Sequence, residues 1–187
     1  QPLPDNLEDR HYFSRYYPRR LSAEILLDAI AQVTQVPTKF TQIGYDGNDF
    51  EKTEAYPPGT RAIQLADSAV VSNFLKTFGR NERDITCECE RSDTPSMVQV
   101  LHISNGVTIN ERLRDPQSCV QNAIAEELPV AEVIQQAFLA TLARHPTESE
   151  LDQLSQVIQQ TPPDERVTAL EDLYWGIMST REFLFNH

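Results

Sequence analysis

The chain lacks several features that would place it in a specialised class. Its longest apolar runs, such as Ala69-Val70-Val71, contain only a few residues, whereas a membrane-spanning helix needs roughly twenty. Three cysteines among 187 residues are too few for a scaffold built on disulfides. Because three is an odd number, at least one thiol is free or bonded elsewhere. The sequence therefore predicts no membrane span and a domain held together by an ordinary core.

Positive charge is also scarce, with 16 Lys plus Arg against 28 Asp plus Glu and a formal net charge of −12. Such a field repels a phosphate backbone, so nucleic acid is not an expected partner. The length suits one domain, and no internal repeat or low-complexity tract divides it. We predict a single helical domain over residues 1–187. The first residues, without a start methionine, indicate a piece of a longer product.

Helical patterns fill the first half of the chain. Ser22 is placed to cap a helix that stops before Pro37. A second helix is predicted over residues 67–78, with Gly79 ending it. A third is predicted to start at Thr94-Pro95 and to stop at Asn105-Gly106. Its expected buried side consists of Met97, Val98, Leu101 and Ile103.

The second half shows the same patterns more openly. Capping-box spacing predicts helix starts at Thr108, Ser118 and Thr147. Apolar residues recur at helical spacing between Pro129 and Ala143, and a break is expected at 161–163. A further helix follows that break, and Ser179 with Glu182 is predicted to start a final turn.

Two segments depart from the helical pattern. Residues 41–60 show no periodicity and are predicted as a long loop. Alternation of Ile85, Cys87 and Cys89 with polar residues predicts a short strand over 84–90. The expected fold class is therefore mainly α: an irregular multi-helix bundle with one long loop and at most a short strand or hairpin near residues 84–90.

The thiols and one histidine are the candidates for a metal site. Cys87, Cys89, His102 and Cys119 are the residue types of a tetrahedral zinc or iron centre. One residue between paired cysteines is not a standard zinc spacing, and small buried cysteines are the alternative interpretation. Glu88 and Glu90 would raise the thiol pKa, which disfavours nucleophilic catalysis. No catalytic residue is predicted.

Charged and polar residues around the cysteines form a second candidate group. If Arg15, Arg61 or Arg91 meets Glu88, Glu90 or Asp172 inside the fold, the group is a salt-bridge network that fixes the architecture. Gln99 and His102 lie on one side of the third helix, either lining a polar pocket or hydrogen-bonded at the core's edge. Asn105 ends that helix. The aromatic and basic arm 11–20 is interpreted as packing, or as a stacking surface for sugars or a partner protein. Glu88 and Glu90 as glycosidase carboxylates have no support from spacing.

Several segments together resemble the planctomycete-specific domain of unknown function called PSD-one. The resemblance extends over nearly the whole chain. Its motifs are 11–15, 19–24, 59–62, 78–80, 87–91, 101–102, 105–106, 171–175 and 182–187, and they include Gly59-Thr60-Arg61-Ala62, Phe78-Gly79-Arg80 and Cys87-Glu88-Cys89-Glu90-Arg91.

The resemblance implies context rather than chemistry. Such domains form the C-terminal part of large exported proteins, often behind a cytochrome-c-like domain, which implies an extracytoplasmic location in the periplasm or at the cell surface. Expected partners are the upstream domains, with a protein or polysaccharide as a further candidate. No cofactor is expected in this domain, because the haem-attachment pattern is absent and haem c would belong upstream. We hypothesise a non-catalytic accessory or interaction module. The alternative is a metal or thiol site around Cys87 and Cys89 that contributes to an oxidoreductase.

Overall fold

The computed structural model describes residues 3–7, 11–12, 14–45, 49–66, 69–80, 97–104 and 107–186. The described chain is mainly helical, as the sequence predicts. It also contains two short antiparallel two-stranded sheets, at positions where the sequence predicted no strand. Within these ranges, no helix combines the length and the hydropathy that crossing a bilayer requires.

Helices make up most of the regular structure, and the strands are short. The helices are α1 (Ala23–Thr34), α2 (Asn73–Thr77), α3 (Met97–Ser104), α4 (Val107–Leu113), α5 (Cys119–Ala125), α6 (Val130–Leu142), α7 (Glu148–Gln160), α8 (Arg166–Met178) and α9 (Arg181–Leu184). The strands are β1 (Arg19–Arg20), β2 (Gln42–Tyr45), β3 (Asp49–Lys52) and β4 (Phe185–Asn186), and 3₁₀ turns cover Pro4–Asn6 and Ala62–Gln64.

Helix α1 is the centre of the fold. It begins as predicted, since the Ser22 side chain accepts a hydrogen bond from the Ile25 amide. It ends at Gln35, which takes the left-handed conformation with φ 63°. The helix contacts α2, α4, α5, α6 and the 3₁₀ turn Ala62–Gln64. Its side chains Leu26, Leu27 and Ile30 are almost fully buried, which is what anchors the surrounding elements to it.

The predicted start of the second helix is wrong. Helix α2 begins at Asn73, six residues after position 67, with Ser72 as its N-cap. The reason is that the preceding backbone pairs with β2: the Gly44 amide donates to Ala69 O, and the Val71 amide donates to Gln42 O. Backbone groups used in this pairing are not available to a helix. The predicted end is confirmed, because Gly79 follows the helix with φ 94°.

The long loop predicted over 41–60 is also corrected. Strands β2 and β3 form an antiparallel hairpin in which Gln42 pairs with Lys52 and Gly44 with Phe50. Gly44 lies close to other side chains, since a Cβ there would be 3.3 Å from Phe50 and from Val71. The hairpin is therefore held by its neighbours, although its sequence lacks strong alternation. The strand predicted over 84–90 lies outside the described residues.

The buried face predicted for the third helix is wrong at Met97 and Val98, and the side chain of Leu101 lies outside the described part of the structure. In α3, Met97 is 73% exposed and Val98 is 63% exposed, whereas Gln99 is 6% exposed. The amide of Gln99 is bound to Arg20 and to the Thr77 carbonyl, and these partners turn the polar residue inward. Ile103 does pack against the core, as predicted.

Of the remaining predicted helix starts, two are confirmed and two are displaced. The Ser118 cap is confirmed by its bond from the Gln121 amide, and the Thr147 capping box is confirmed in both directions. Helix α4 already begins at Val107, so Thr108 lies inside the helix and does not cap it. Helix α9 is capped by Thr180 rather than Ser179. These differences are one or two residues, the usual precision of helix ends.

Two segments that are distant in the sequence meet in a small sheet. Strand β1 pairs with β4, so Arg19 lies opposite Asn186 and Arg20 opposite Phe185. The Asn186 side chain also accepts from the Arg19 amide at 2.9 Å. This pairing fixes the backbone of Arg20, whose side chain reaches helices α2 and α3.

Candidate functional site

Two carboxylates lie on the inner face of helix α1. Glu24 and Asp28 are four residues apart and so occupy the same face, and they are only 7% and 8% exposed. Buried carboxylates need charge partners and hydrogen bonds. Each of the two has an arginine partner from a different segment of the chain.

Asp28 binds the backbone at the start of the 3₁₀ turn Ala62–Gln64. Its Oδ1 accepts from the Ala62 amide at 2.6 Å, and its Oδ2 accepts from the Ile63 amide at 3.2 Å. The Arg61 Nε lies 3.6 Å from Oδ2. Asp28 therefore satisfies backbone donors at the start of the turn, as a capping residue does, while pairing with an arginine.

A third positive group lies behind Asp28. Arg112 of α4 donates to the Val36 carbonyl at 2.9 Å and to Thr38 Oγ1 at 2.7 Å. Burial lowers the pKa of Arg112, and the charge of Asp28 raises it. Arg112 thus ties the chain that leaves α1 to helix α4, with Asp28 supplying part of the compensating charge.

Asp28, Thr38 and Arg61 border an open cleft of about 320 Å³. One wall is the C-terminal half of α1, and the other is the segment Gly59–Arg61, which turns at Gly59 with φ 90°. Arg61 stands at this cleft with its side chain 63% exposed. The lining residues are Asp28, Ala31, Gln32, Gln35, Pro37, Thr38, Gly59, Thr60 and Arg61.

Glu24, one turn earlier on α1, pairs with Arg80. The Glu24 Oε1 and the Arg80 Nε are 3.6 Å apart, with side-chain exposures of 9% and 10%. Arg80 directly follows Gly79, whose positive φ ends helix α2, and the Arg80 amide donates to Leu75 O. The Phe78-Gly79-Arg80 motif therefore ends helix α2 and places the Arg80 guanidinium next to Glu24 of helix α1.

A second polar cluster joins β1, α2 and α3. Arg20 donates to Gln99 Oε1 and to the Phe78 carbonyl, while Gln99 donates to the Thr77 carbonyl at 3.0 Å. The Arg20 guanidinium lies 5.5 Å from the Phe78 ring centre, within cation–π range. These bonds occupy the carbonyls at the C-terminal end of α2.

His102 lies beside this cluster, half-buried. Its Nε2 is 2.9 Å from Thr108 Oγ1, and its ring meets Phe74 and Phe78 edge-on at 5.5 and 5.8 Å. Burial lowers the pKa of His102, which favours the neutral ring. The structure places His102 with aromatic rings and a hydroxyl.

Cys119 lies in the core at the start of α5. The residue is 6% exposed, and its thiol is not in a disulfide. Burial raises the pKa of Cys119 to about 11, although a hydrogen bond with Tyr174 acts in the opposite direction. The group is thus a protonated thiol at neutral pH, the form that neither attacks nor ligates readily. Over the ranges that the structure describes, no three His, Cys, Asp or Glu side chains form a metal-binding group.

Arg15 does not reach Asp172 by any contact between described residues. Its guanidinium lies over the Tyr17 ring at 4.3 Å, and its buried Nε lacks a hydrogen-bond partner in the described part of the chain. The other sequence candidates, Cys87, Glu88, Cys89, Glu90, Arg91 and Asn105, lie outside the described residues.

Sequence reasoning missed Glu24 and Asp28 as the partners of the motif arginines. The available signal was local: two acids spaced by four residues in a helix whose neighbouring positions are Leu26, Leu27 and Ile30. Acids on the apolar face of a helix require charge partners and hydrogen bonds. From the sequence, the network of arginines and carboxylates was instead predicted around residues 88–91.

The fold and the cleft define a mainly helical domain in which arginines pair with the carboxylates of a central helix. The chain belongs to the PSD1 family, described as a protein of unknown function (DUF1553), whose sequence profile matches residues 4–158. The match includes Glu24, Asp28, Arg61 and Arg80, whereas the motifs at 171–175 and 182–187 lie beyond it. No curated protein matches the chain, and no solved structure does either.

Proposed function

We propose that the chain is a non-catalytic helical accessory module of an exported protein, acting by contact with its upstream domains and with a bound partner. The proposal rests on the contacts made by three arginines of the sequence motifs, Arg20, Arg61 and Arg80. Arg61 binds Asp28, Arg80 binds Glu24, and Arg20 binds Gln99 and the Phe78 carbonyl. These side chains connect separate segments of the backbone, which is a scaffolding role.

The described thiol also favours this function over redox or nucleophilic chemistry. A buried Cys119 with a raised pKa is an inert core residue. The proposed module needs no cofactor of its own, and haem c would be carried by an upstream domain. An extracytoplasmic location, in the periplasm or at the cell surface, is part of the same proposal. With a net charge of −12, a protein or polysaccharide is a better partner than nucleic acid.

Metal analysis combined with thiol counting tests the non-catalytic part. The purified chain, a Cys89→Ser variant and a Cys119→Ser variant would be analysed for bound zinc and iron and for reactive thiols. We expect substoichiometric metal in all three. Stoichiometric metal that disappears in Cys89→Ser but persists in Cys119→Ser would overturn the proposal in favour of a metal or thiol site around Cys87 and Cys89.

Cross-linking mass spectrometry on the full-length protein tests the accessory role. We expect reproducible cross-links between this domain and upstream domains at nanomolar protein concentration, where links between molecules are rare. A domain that cross-links only within itself would contradict packing against the upstream domains.

A further inference from the structure

We propose that the cleft between α1 and the Gly59–Arg61 segment binds a small ligand through a carboxylate group. The proposal rests on the accessory function and names the chemistry of the bound partner. Three properties of the cleft support it: its size, its free hydrogen-bonding groups and its local charge.

The dimensions suit a small polar molecule. A volume of about 320 Å³ lies at the lower end of the range for ligand pockets, roughly 300–1,000 Å³. The cleft is open to solvent on one side, and Gly59 adds no side chain to its edge: a Cβ there would have no neighbour within 4 Å. A single sugar ring or one amino-acid unit fits these limits better than a drug-sized molecule.

Four side-chain acceptor atoms of the described lining residues are already occupied. Both Asp28 oxygens accept backbone amides, Thr38 Oγ1 accepts from Arg112, and Gln35 Oε1 accepts from Asn122 Nδ2 at 2.7 Å. These bonds leave the donors of the same side chains for a ligand. They are the Thr38 hydroxyl proton and the Gln35 amide group.

Arg61 supplies the strongest donors. Its closest approach to Asp28 is through Nε at 3.6 Å, and within the described ranges the two terminal nitrogens of the guanidinium make no hydrogen bond, so they can meet a carboxylate. Paired N–H donors on a planar guanidinium match the two oxygens of a carboxylate. Thr60 Oγ1, which donates its proton to the Pro57 carbonyl at 2.7 Å, keeps acceptor capacity for a ligand hydroxyl.

The local charge has the sign that this ligand requires. Among the described residues that line the cleft, Asp28 and Arg61 are the charged ones, and Arg112 lies behind Thr38. One carboxylate therefore faces two guanidinium groups, a positive site on a chain whose net charge is −12. Such a site concentrates anions locally and gives binding that weakens as salt rises.

The test is a nuclear magnetic resonance titration of the chain with three probes. D-galacturonate and D-galactose differ at the carboxylate, and the α-amide of N-acetylglutamate presents a single carboxylate on an amino-acid frame. We expect shifts at the Thr60 and Ala62 amides with at least one acid, and about threefold weaker binding of galactose, because solvent screens a charge pair to the exposed Arg61. Which acid binds more tightly tells an acidic saccharide from an acidic peptide.

Arg114 provides a matched control. Its side chain is 68% exposed and pairs with Glu171 through Nε at 3.4 Å, much like Arg61, but it does not line the cleft. We expect Arg61→Gln to weaken binding about threefold, and Arg114→Gln to leave it unchanged. Equal loss in both variants, or no shift at the two amides with either acid, overturns the cleft proposal. Neither result alters the metal and thiol outcome that tests the accessory function.

Discussion

Two regions of the molecule use arginine–carboxylate pairs in opposite ways. On α1, Glu24 and Arg80 approach to 3.6 Å in a site where their side chains are about one-tenth exposed. Near the surface, Arg144 is 2.9 Å from Glu150 and 2.7 Å from Glu182, with all three side chains about one-third exposed. The ion pairs with the shorter distances are thus the ones in the more solvent-exposed region, around Arg144.

The difference shows that distance alone does not rank these pairs. Water and salt screen the Arg144 network, so its short bonds replace good hydration and add little free energy of folding. Removing one partner from the α1 face instead leaves a charge with no water to solvate it. We therefore expect the longer contacts to be the costlier ones to break.

The largest effect is expected for Asp28→Ala. This change removes the acceptor of the Ala62 and Ile63 amides and the negative charge near Arg61 and Arg112. The free energy of unfolding should fall by about 3 kcal/mol, because two backbone amides lose their acceptor and the buried Arg112 loses part of its compensating charge. Urea denaturation followed by circular dichroism measures the loss. Asp152→Ala, at an exposed acid in the same type of element, should change stability by less than about 0.5 kcal/mol, and a similar loss in both variants would contradict this account.

A smaller loss is expected for Arg112→Met. The methionine keeps much of the side-chain volume but removes the donors to the Val36 carbonyl and Thr38. We expect the free energy of unfolding to fall by about 2 kcal/mol. Hydrogen exchange at residues 36–40 should accelerate in the same variant. Unchanged exchange there would show that Arg112 does not fix this segment.

Arg144→Gln should cost less than about 1 kcal/mol, even though the Arg144 contact with Glu182, at 2.7 Å, is closer than the ion pairs on α1. Its ring contact with Phe138, at 5.1 Å from the ring centre, contributes to whatever loss is measured. Chemical denaturation at low and at high salt gives the comparison. A loss as large as that of Asp28→Ala would reverse the order of the two regions.

The smallest effect concerns pH. The Arg144 hydrogen bonds, followed by the Thr147 amide, lower the pKa of Glu150 from 4.5 to about 2. Because the folded pKa is lowered, the stabilisation is present above pH 4.5 and is lost as pH falls toward 2. Glu150→Gln should therefore flatten the acid limb of stability in this window. Parallel acid limbs in the two proteins would show that solvent has removed the effect.

The sequence predicted the parts of the fold that depend on local chemistry. Ser22, Gly79 and Thr147 act within four residues of themselves, and all three act as expected. The failures have long-range causes: the pairing of Val71 with Gln42 delays α2, and Arg20 turns Gln99 inward on α3. Partners 29 and 79 residues away leave no local signal.

The candidate site was also predicted only in the part that has a local sequence signal. Arg61 was identified from its motif, but its partner Asp28 is 33 residues earlier and lies in a helix that reads as ordinary core. A guanidinium can be recognised in a sequence more easily than the carboxylate that it meets. The pairing depends on how α1 and the Gly59–Arg61 segment pack, which the spacing of residues does not specify.

A pair of double-mutant cycles tests the scaffolding role of the motif arginines most directly. One cycle combines Glu24→Gln with Arg80→Gln, and the other combines Glu150→Gln with Arg144→Gln, all measured by urea denaturation at one pH and salt concentration. We predict a coupling energy above about 1.5 kcal/mol for the buried pair and below about 0.5 kcal/mol for the surface pair. A buried pair whose coupling is no larger than that of the surface pair would contradict the central claim.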